Sequence, residues 1–185
     1  MPFDSKAYGT LVAEILALDQ SGDRLIPLVS GSCSSELARK RLKGQKALDL
    51  FPRAYAAQEA LGGLWLYFSC FDECHEIVQD LKSPEASFWH AILHRQEPDP
   101  GNSAYWFRCM GEHPVFRDLT AAAKDIVARH PRAGFRIAGD WDPFLFGNFC
   151  EQARQEPGSA AERAAMEIQQ AEWQLLFDHC ARSRP

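Results

Sequence analysis

Two histidines and a glutamate in the middle of the chain have the residue types and the spacing of a binding face. His90, His94 and Glu97 stand at positions i, i+4 and i+7, so on a helix their side chains project within about 40° of one another. Two imidazoles one turn apart can share a divalent ion, and a carboxylate one turn further on can supply an oxygen ligand. The spacing therefore predicts a metal-binding face made by His90, His94 and Glu97.

Residues suited to an anionic ligand are close to this face in the sequence. Arg95 and Arg108 carry guanidinium groups, which clamp carboxylate or phosphate through a fixed fork of N–H donors. Arg108 follows an aromatic run that begins with Tyr105, so stacking on a ring is expected, and His113 can carry a proton near neutral pH. We predict a polar, aromatic-lined cleft that binds a small anionic molecule, with or without a divalent metal ion. Its predicted residues are His90, His94, Arg95, Glu97, Tyr105, Arg108 and His113.

The same residues are also compatible with a different metal site and with a purely structural role. Upstream, Asp72 and His75 stand at i, i+3, a spacing that recurs in metal sites of helical bundles, but Ala91 replaces the catalytic glutamate of a zinc-protease motif. His90 and His94 can instead be hydrogen-bonded members of an aromatic core, with Arg95 paired to nearby acids. The alternative function is that of a helical protein-interaction or scaffold protein without a catalytic site. The sequence assigns no reaction and no catalytic residue.

Composition and charge exclude several classes of protein. The chain has 185 residues, 20 basic and 25 acidic side chains and a net charge of −5, which argues against binding nucleic acid through counterion release. No apolar run is long enough for a membrane span. The first five residues lack the basic start and apolar stretch of a signal peptide. We expect a cytoplasmic protein that binds neither nucleic acid nor membrane, and self-association into a homo-oligomer stays open.

The cysteines are too widely spread for a disulfide framework. They stand at positions 33, 70, 74, 109, 150 and 180. In a reducing compartment we expect all of them to be thiols, buried as small hydrophobic side chains. Cys70 and Cys74 stand one helical turn apart, but no CxxC motif or second cysteine pair completes a zinc site.

Helix signals surround the predicted cleft and recur along the chain. Ser83 and Asp142 each precede a proline, the pattern of an N-cap followed by proline at the first helical position. Ser159 and Glu162 have the spacing of a capping box, and Asn102 can cap the helix that follows it. No stretch alternates apolar and polar residues long enough to predict a strand.

These signals predict an all-α fold: one compact domain over residues 1–185, built from seven to nine helices with the 84–110 hairpin near its centre. The predicted helices cover residues 6–20, 34–43, 53–67, 70–81, 84–97, 103–110, 114–130, 143–155 and 160–181. Gly62 and Gly63 either bend or end the third of these helices, so residues 53–81 can also form one kinked helix.

The central region carries two resemblances. Residues 89–97, Trp-His-Ala-Ile-Leu-His-Arg-Gln-Glu, with Tyr-Trp-Phe-Arg at 105–108 and His-Pro at 113–114, resemble the signature of a family of uncharacterised microbial all-helical proteins. That resemblance implies a helical fold in which this region forms one unit, and it brings no activity with it. Residues 84–110 are also weakly similar to a tetratricopeptide hairpin, although no second copy follows at the repeat period of about 34 residues.

Overall fold

The computed structural model describes residues 3–183, and all the regular secondary structure within that range is helical. Two short 3-10 helices, Ser5–Tyr8 and Ala17–Gly22, flank the first α-helix. The ten α-helices are α1 Thr10–Leu16, α2 Glu36–Leu42, α3 Ala47–Leu50, α4 Ala57–Tyr67, α5 Phe71–Val78, α6 Pro84–Gln96, α7 Pro100–Met110, α8 Val115–Arg129, α9 Pro143–Ala153 and α10 Ala160–Ala181. The predicted all-α class is confirmed, and the short α3 is the one helix that the nine predicted ranges miss.

The predicted caps start three of the longer helices. The Ser83 hydroxyl accepts a hydrogen bond from the Ala86 N–H at 3.1 Å, and Asp142 and Ser159 cap α9 and α10 in the same way. The prediction for α7 is wrong at its start, because Asp99 is the N-cap and accepts from the Asn102 N–H at 3.0 Å. Asn102 therefore lies inside the first turn, where its own side chain is not needed as a cap.

The glycine pair in α4 neither bends nor ends the helix, which runs to Tyr67 before α5 begins at Phe71. Both glycines are required by close packing instead. A Cβ atom on Gly63 would lie 2.5 Å from the Trp89 ring, and one on Gly62 would lie 2.9 Å from Val78. The absence of side chains here lets α4 lie directly against α5 and α6.

The centre of the fold is formed by α4, α6 and α10, whose buried side chains belong to one continuous hydrophobic cluster. Every residue of α6 from 85 to 96 is buried, and the Trp173 indole of α10 donates to the Gly63 carbonyl of α4 at 2.7 Å. The predicted hairpin is confirmed as α6 and α7, with the Ser103 hydroxyl donating to the Ala91 carbonyl at 2.9 Å. Within residues 3–183, no helix is long and apolar enough to cross a membrane; Met1 and Pro2, where the signal-peptide argument starts, lie outside this range.

The expectation that all six cysteines are thiols is wrong for Cys33 and Cys70, which form a disulfide. Their Cα atoms lie 4.6 Å apart, because the Ser34 N–H donates to the Phe68 carbonyl at 2.7 Å and holds the two loops together. The sequence separation of 37 residues between the two cysteines hides this proximity from the sequence. Cys74, Cys150 and Cys180 are buried thiols as expected, and Cys109 is an exposed one.

Candidate functional site

Three imidazoles meet where α5 packs on α6. His90 and His94 lie one turn apart on α6 with their rings stacked, 4.8 Å between centroids, and His75 of α5 contacts both edge-on at 4.8 and 5.9 Å. One nitrogen from each ring lies within 4.8 Å of the others. A tetrahedral metal site with metal–nitrogen bonds of about 2.0–2.1 Å places its nitrogens about 3.4 Å apart, a distance that small side-chain rotations can reach. We call His75, His90 and His94 the three-histidine cluster.

The rings of this cluster are buried to different degrees. His90 is 3% exposed and its Nδ1 atom has no hydrogen-bond partner, which is unusual for a buried polar atom. Burial, and after it the charges that His94 and His75 can carry, lowers the pKa of His90 to about 4. The ring is therefore neutral at neutral pH and keeps a free lone pair. His75 is only partly buried, so it lies on the side from which an ion can enter.

Within the three-histidine cluster, His94 has a polar side chain near each of its ring nitrogens. Its Nδ1 lies 3.0 Å from the Glu97 carboxylate, and its Nε2 lies 3.3 Å from the side-chain amide of Asn102. The Nδ1 atom is nevertheless buried without a hydrogen-bond partner, so Glu97 lies close to the ring without fixing its tautomer. The structure thus places Glu97 behind the ring of His94, and the third nitrogen of the cluster comes from His75.

Aromatic residues of α7 cover one side of the cluster. The Trp106 ring stacks on His90 with 3.9 Å between centroids, and Tyr105 contacts Trp106 edge-on. Tyr105 is 51% exposed, and Arg108 is also exposed on α7. Trp106 is thus the aromatic ring in direct contact with the cluster, whereas the predicted stacking of Arg108 on a ring is not found among residues 3–183, where the cation–ring contact is that of Arg95 over Phe146.

Arg95 does not share a cleft with the histidines. Its guanidinium is 1% exposed and forms an ion pair with Glu172 of α10, with a further hydrogen bond to Gln169 at 3.2 Å. It also stacks over the Phe146 ring, 4.7 Å from the centroid. Burial acts to lower the pKa of Arg95, but the charge of Glu172 works against it and the pKa is raised overall. Because this ion pair is fully buried, Arg95 has no face open to an anion from solution.

His113 belongs to a second group of titratable side chains, which we call the Glu85 cluster: Glu85, His113 and His179. Glu85 lies in the first turn of α6, His113 precedes α8, and His179 lies in the last turn of α10. The Glu85 carboxylate lies 3.0 Å from the His179 Nε2 and 3.8 Å from the His113 Nε2. These two histidines hold the pKa of Glu85 far below its usual range.

The proton positions in the Glu85 cluster do not fit a metal ion. The Val115 N–H donates to the His113 Nδ1 at 3.3 Å, so the lone pair of this ring is already used there. In the neutral form of the ring the proton would then be on Nε2, which lies 3.8 Å from the Glu85 carboxylate and has no hydrogen-bond partner. A metal ion on Nε2 would have to displace this proton and leave an imidazolate without any proton. The cluster is thus organised around an anion that belongs to the protein.

The seven predicted site residues are therefore distributed over separate places. His90, His94 and Glu97 lie together, whereas Arg95 lies in the core and His113 in the Glu85 cluster. His75 was visible in the sequence only through its spacing to Asp72, which is exposed. The Glu85 cluster could not be found from spacing, because its members come from three distant segments.

Comparison with known proteins adds no relative, since no protein-family model, curated protein or solved structure matches the chain. The resemblance of residues 89–114 to a family of microbial helical proteins stays a prediction. Function must be argued from the site itself.

Proposed function

We propose that the protein binds one divalent metal ion through His75, His90 and His94, and that the ion holds a small anionic ligand at its open position. The observation that carries this proposal is the meeting of three imidazole nitrogens within 4.8 Å, one of them on a buried ring whose Nδ1 has no partner. Imidazole nitrogen is the ligand that Zn²⁺ and its neighbours among the transition metals favour in proteins.

The charge of the bound metal ion supports the proposal that the ligand is an anion. Three neutral imidazoles leave the full 2+ charge on the ion, and a bound cation is then the largest local charge in its surroundings. Three protein nitrogens leave a fourth position of a tetrahedral ion open, which is the arrangement in which zinc binds water or a substrate. The attraction for an anion would come from the ion itself, because Arg95 is already paired with Glu172.

The test is a titration of protein purified without a histidine tag and stripped with a chelator. We expect Zn²⁺ to bind with a stoichiometry near one by calorimetry, and His75→Ala to abolish this binding. Co²⁺ should give a visible spectrum that changes when inorganic phosphate is added. Loss of binding in Glu97→Ala with retention in His75→Ala would instead support the set His90, His94 and Glu97.

The matched control removes a histidine elsewhere. His130 follows α8 and lies 3.1 Å from the Glu167 carboxylate, outside both clusters, so His130→Ala should bind Zn²⁺ like the unchanged protein. If the unchanged protein binds no metal ion, the proposed function is wrong.

A helical scaffold without a ligand is the second candidate, and the stacking of Trp106 on His90 is the observation that favours it. In that case the rings serve only as packing between α5, α6 and α7. The same titration decides, because packing alone predicts no stoichiometric uptake of Zn²⁺ and equal behaviour of His75→Ala and His130→Ala.

A further inference from the structure

A cavity lies between the segment that carries α2 and α3 and the helices α4 and α5, and residues of all four helices line it. Its volume is about 1070 Å³, which is enough for a small molecule, since sites of that kind commonly have about 300–1,000 Å³. No member of the three-histidine cluster or of the Glu85 cluster lines it. We call it the α2–α5 cavity.

Buried apolar side chains reach the surface of this cavity. Leu61 and Trp65 of α4 and Leu42 of α2 line it, and each belongs to the hydrophobic core. Ile77 of α5 is partly buried, and Leu48 of α3, which also lines the cavity, is 69% exposed. The apolar part of a ligand in this position would leave water and contact these side chains, which is favourable through the hydrophobic effect.

The charged side chains of the cavity differ in whether they have a partner. The Arg39 Nε lies 2.6 Å from the Glu73 carboxylate, and the Glu36 carboxylate lies 3.8 Å from the same guanidinium. The charged residues that remain are Lys40, Lys43, Lys46, Asp49 and Glu76. None of them forms an ion pair with another residue of the range 3–183. The lining as a whole is neutral in a chain of net charge −5, and its unpaired groups have one positive charge in excess.

Helix stability accounts for only part of this lysine group. Lys40 lies in the last turn of α2 and Lys43 is its C-cap, where the helix dipole favours a cation. Lys46 is the N-cap of α3, where the dipole disfavours one. Lys46 therefore gains nothing from the helix that it precedes, and its charge is available to a ligand.

We propose that the α2–α5 cavity binds a small amphipathic monocarboxylate, a free carboxylate that carries an apolar chain. Lys43 and Lys46 attract the carboxylate, and the chain packs against Leu61, Trp65 and Ile77. One negative charge balances the excess positive charge of the unpaired groups, and the apolar lining accommodates the rest of the ligand. This site is separate from the proposed metal site and does not depend on it.

The experiment is a calorimetric titration of the chelator-stripped protein with decanoate. We expect binding with a stoichiometry near one. Acetate, which lacks the chain, and decyltrimethylammonium, which has a chain but the opposite charge, should each bind at least about tenfold more weakly, because each lacks one of the two recognised features.

Two pairs of variants test the residues. Lys43→Gln combined with Lys46→Gln should weaken decanoate binding about tenfold, and both side chains are exposed, so circular dichroism should show an unchanged fold. The matched control, Lys82→Gln combined with Lys124→Gln, makes the same change of charge on exposed residues outside the cavity and should leave the affinity unchanged.

The second pair tests the apolar lining. Leu48→Ser should weaken decanoate binding about threefold, because the chain loses part of its apolar contact. Leu145→Ser on α9, where the leucine is 56% exposed and lies outside the cavity, is the control and should not change it.

Each outcome decides the proposal. Weaker binding in the two cavity variants, with unchanged binding in their controls, supports it. Equal weakening in the two lysine variants would mean a non-specific attraction and overturns it, as does equally tight binding of decyltrimethylammonium. Absence of decanoate binding also overturns it, and binding to phosphatidylglycerol vesicles in that case would assign the lysines to a lipid surface. The Zn²⁺ titration is unaffected by any of these results, so the two proposals can fail separately.

Discussion

The three-histidine cluster and the Glu85 cluster both include residues of α6, but only the Glu85 cluster has a buried carboxylate among its three members. Two members of the first lie on α6, and the second is centred on Glu85 at the start of α6. In the first, the Nδ1 atoms of His90 and His94 are buried without a hydrogen-bond partner. In the second, His113 uses its lone pair on the Val115 N–H and its Nε2 is on the side of Glu85.

Two features set the Glu85 cluster apart: the backbone N–H of Val115 occupies one nitrogen of His113, and the carboxylate of Glu85 lies among its members. In the Glu85 cluster a buried carboxylate lies 3.0 Å from the His179 Nε2 and 3.8 Å from the His113 Nε2. In the three-histidine cluster the carboxylate of Glu97 is partly exposed and lies beside His94 alone, and burial keeps the His90 ring neutral, with its Nδ1 atom without a partner. The two clusters have the same number of members, but one contains a carboxylate of the protein, and the other consists of three imidazoles and is the one for which we propose a metal ion.

The largest expected effect is the stabilisation of the folded protein by bound Zn²⁺, which should depend on the three-histidine cluster and not on the Glu85 cluster. At a free Zn²⁺ concentration of about a thousand times the Kd, bound metal should stabilise the folded protein by about 4 kcal/mol. His75→Ala should lose this increment, and His113→Ala should keep it although the variant is itself less stable. Urea unfolding with and without Zn²⁺ measures the increment. Loss of the increment in His113→Ala alone would reverse the assignment of the two clusters.

The second effect concerns the acids of the two clusters. Glu85→Gln removes the charge that the buried His113 and the partly buried His179 contact, so we expect the free energy of unfolding to fall by about 2–3 kcal/mol. Glu97→Gln should cost less than about 1 kcal/mol, because the Glu97 side chain is 41% exposed. Chemical denaturation of the metal-free variants checks the ranking. Equal losses would mean that burial does not distinguish the two acids.

The contribution of Glu85 to stability should depend on pH. The pKa of Glu85 is lowered in the folded protein, so its contribution to stability is complete above the unfolded pKa of about 4.3 and is lost as the pH falls below that value. The difference in stability between the unchanged protein and Glu85→Gln should therefore shrink from pH 6 towards pH 3. Denaturation at a series of pH values measures this difference, and a difference that is constant with pH would contradict the prediction.

The smallest expected effect tests the aromatic cover of the three-histidine cluster. Trp106 stacks on His90, so Trp106→Leu should lower the free energy of unfolding by about 1 kcal/mol. Tyr105→Leu, on the adjacent exposed residue, is the control and should stay within about 0.5 kcal/mol. Thermal unfolding compares the two variants, and an equal loss would show that the stacking contributes nothing specific.

Much of the fold could be predicted because its signals are local. Ser83 and Asp142 with their following prolines and Ser159 with Glu162 start helices through hydrogen bonds within one turn. The local signals do not predict the short α3 or the start of α7 at Pro100. For α7 the reason is that Asp99 and Asn102 are both acceptable N-caps. Only the geometry around Pro100 decides between them.

The candidate site was predictable only where its members share a helix. The sequence by itself determined that His90 and His94 lie one turn apart on α6, since helical periodicity relates neighbours along the chain. Tertiary packing decided that His75 meets them, that Arg95 pairs with Glu172, that His113 meets Glu85 and that Cys33 meets Cys70. These pairings depend on how helices and loops pack in three dimensions, and residue spacing along the chain does not encode them.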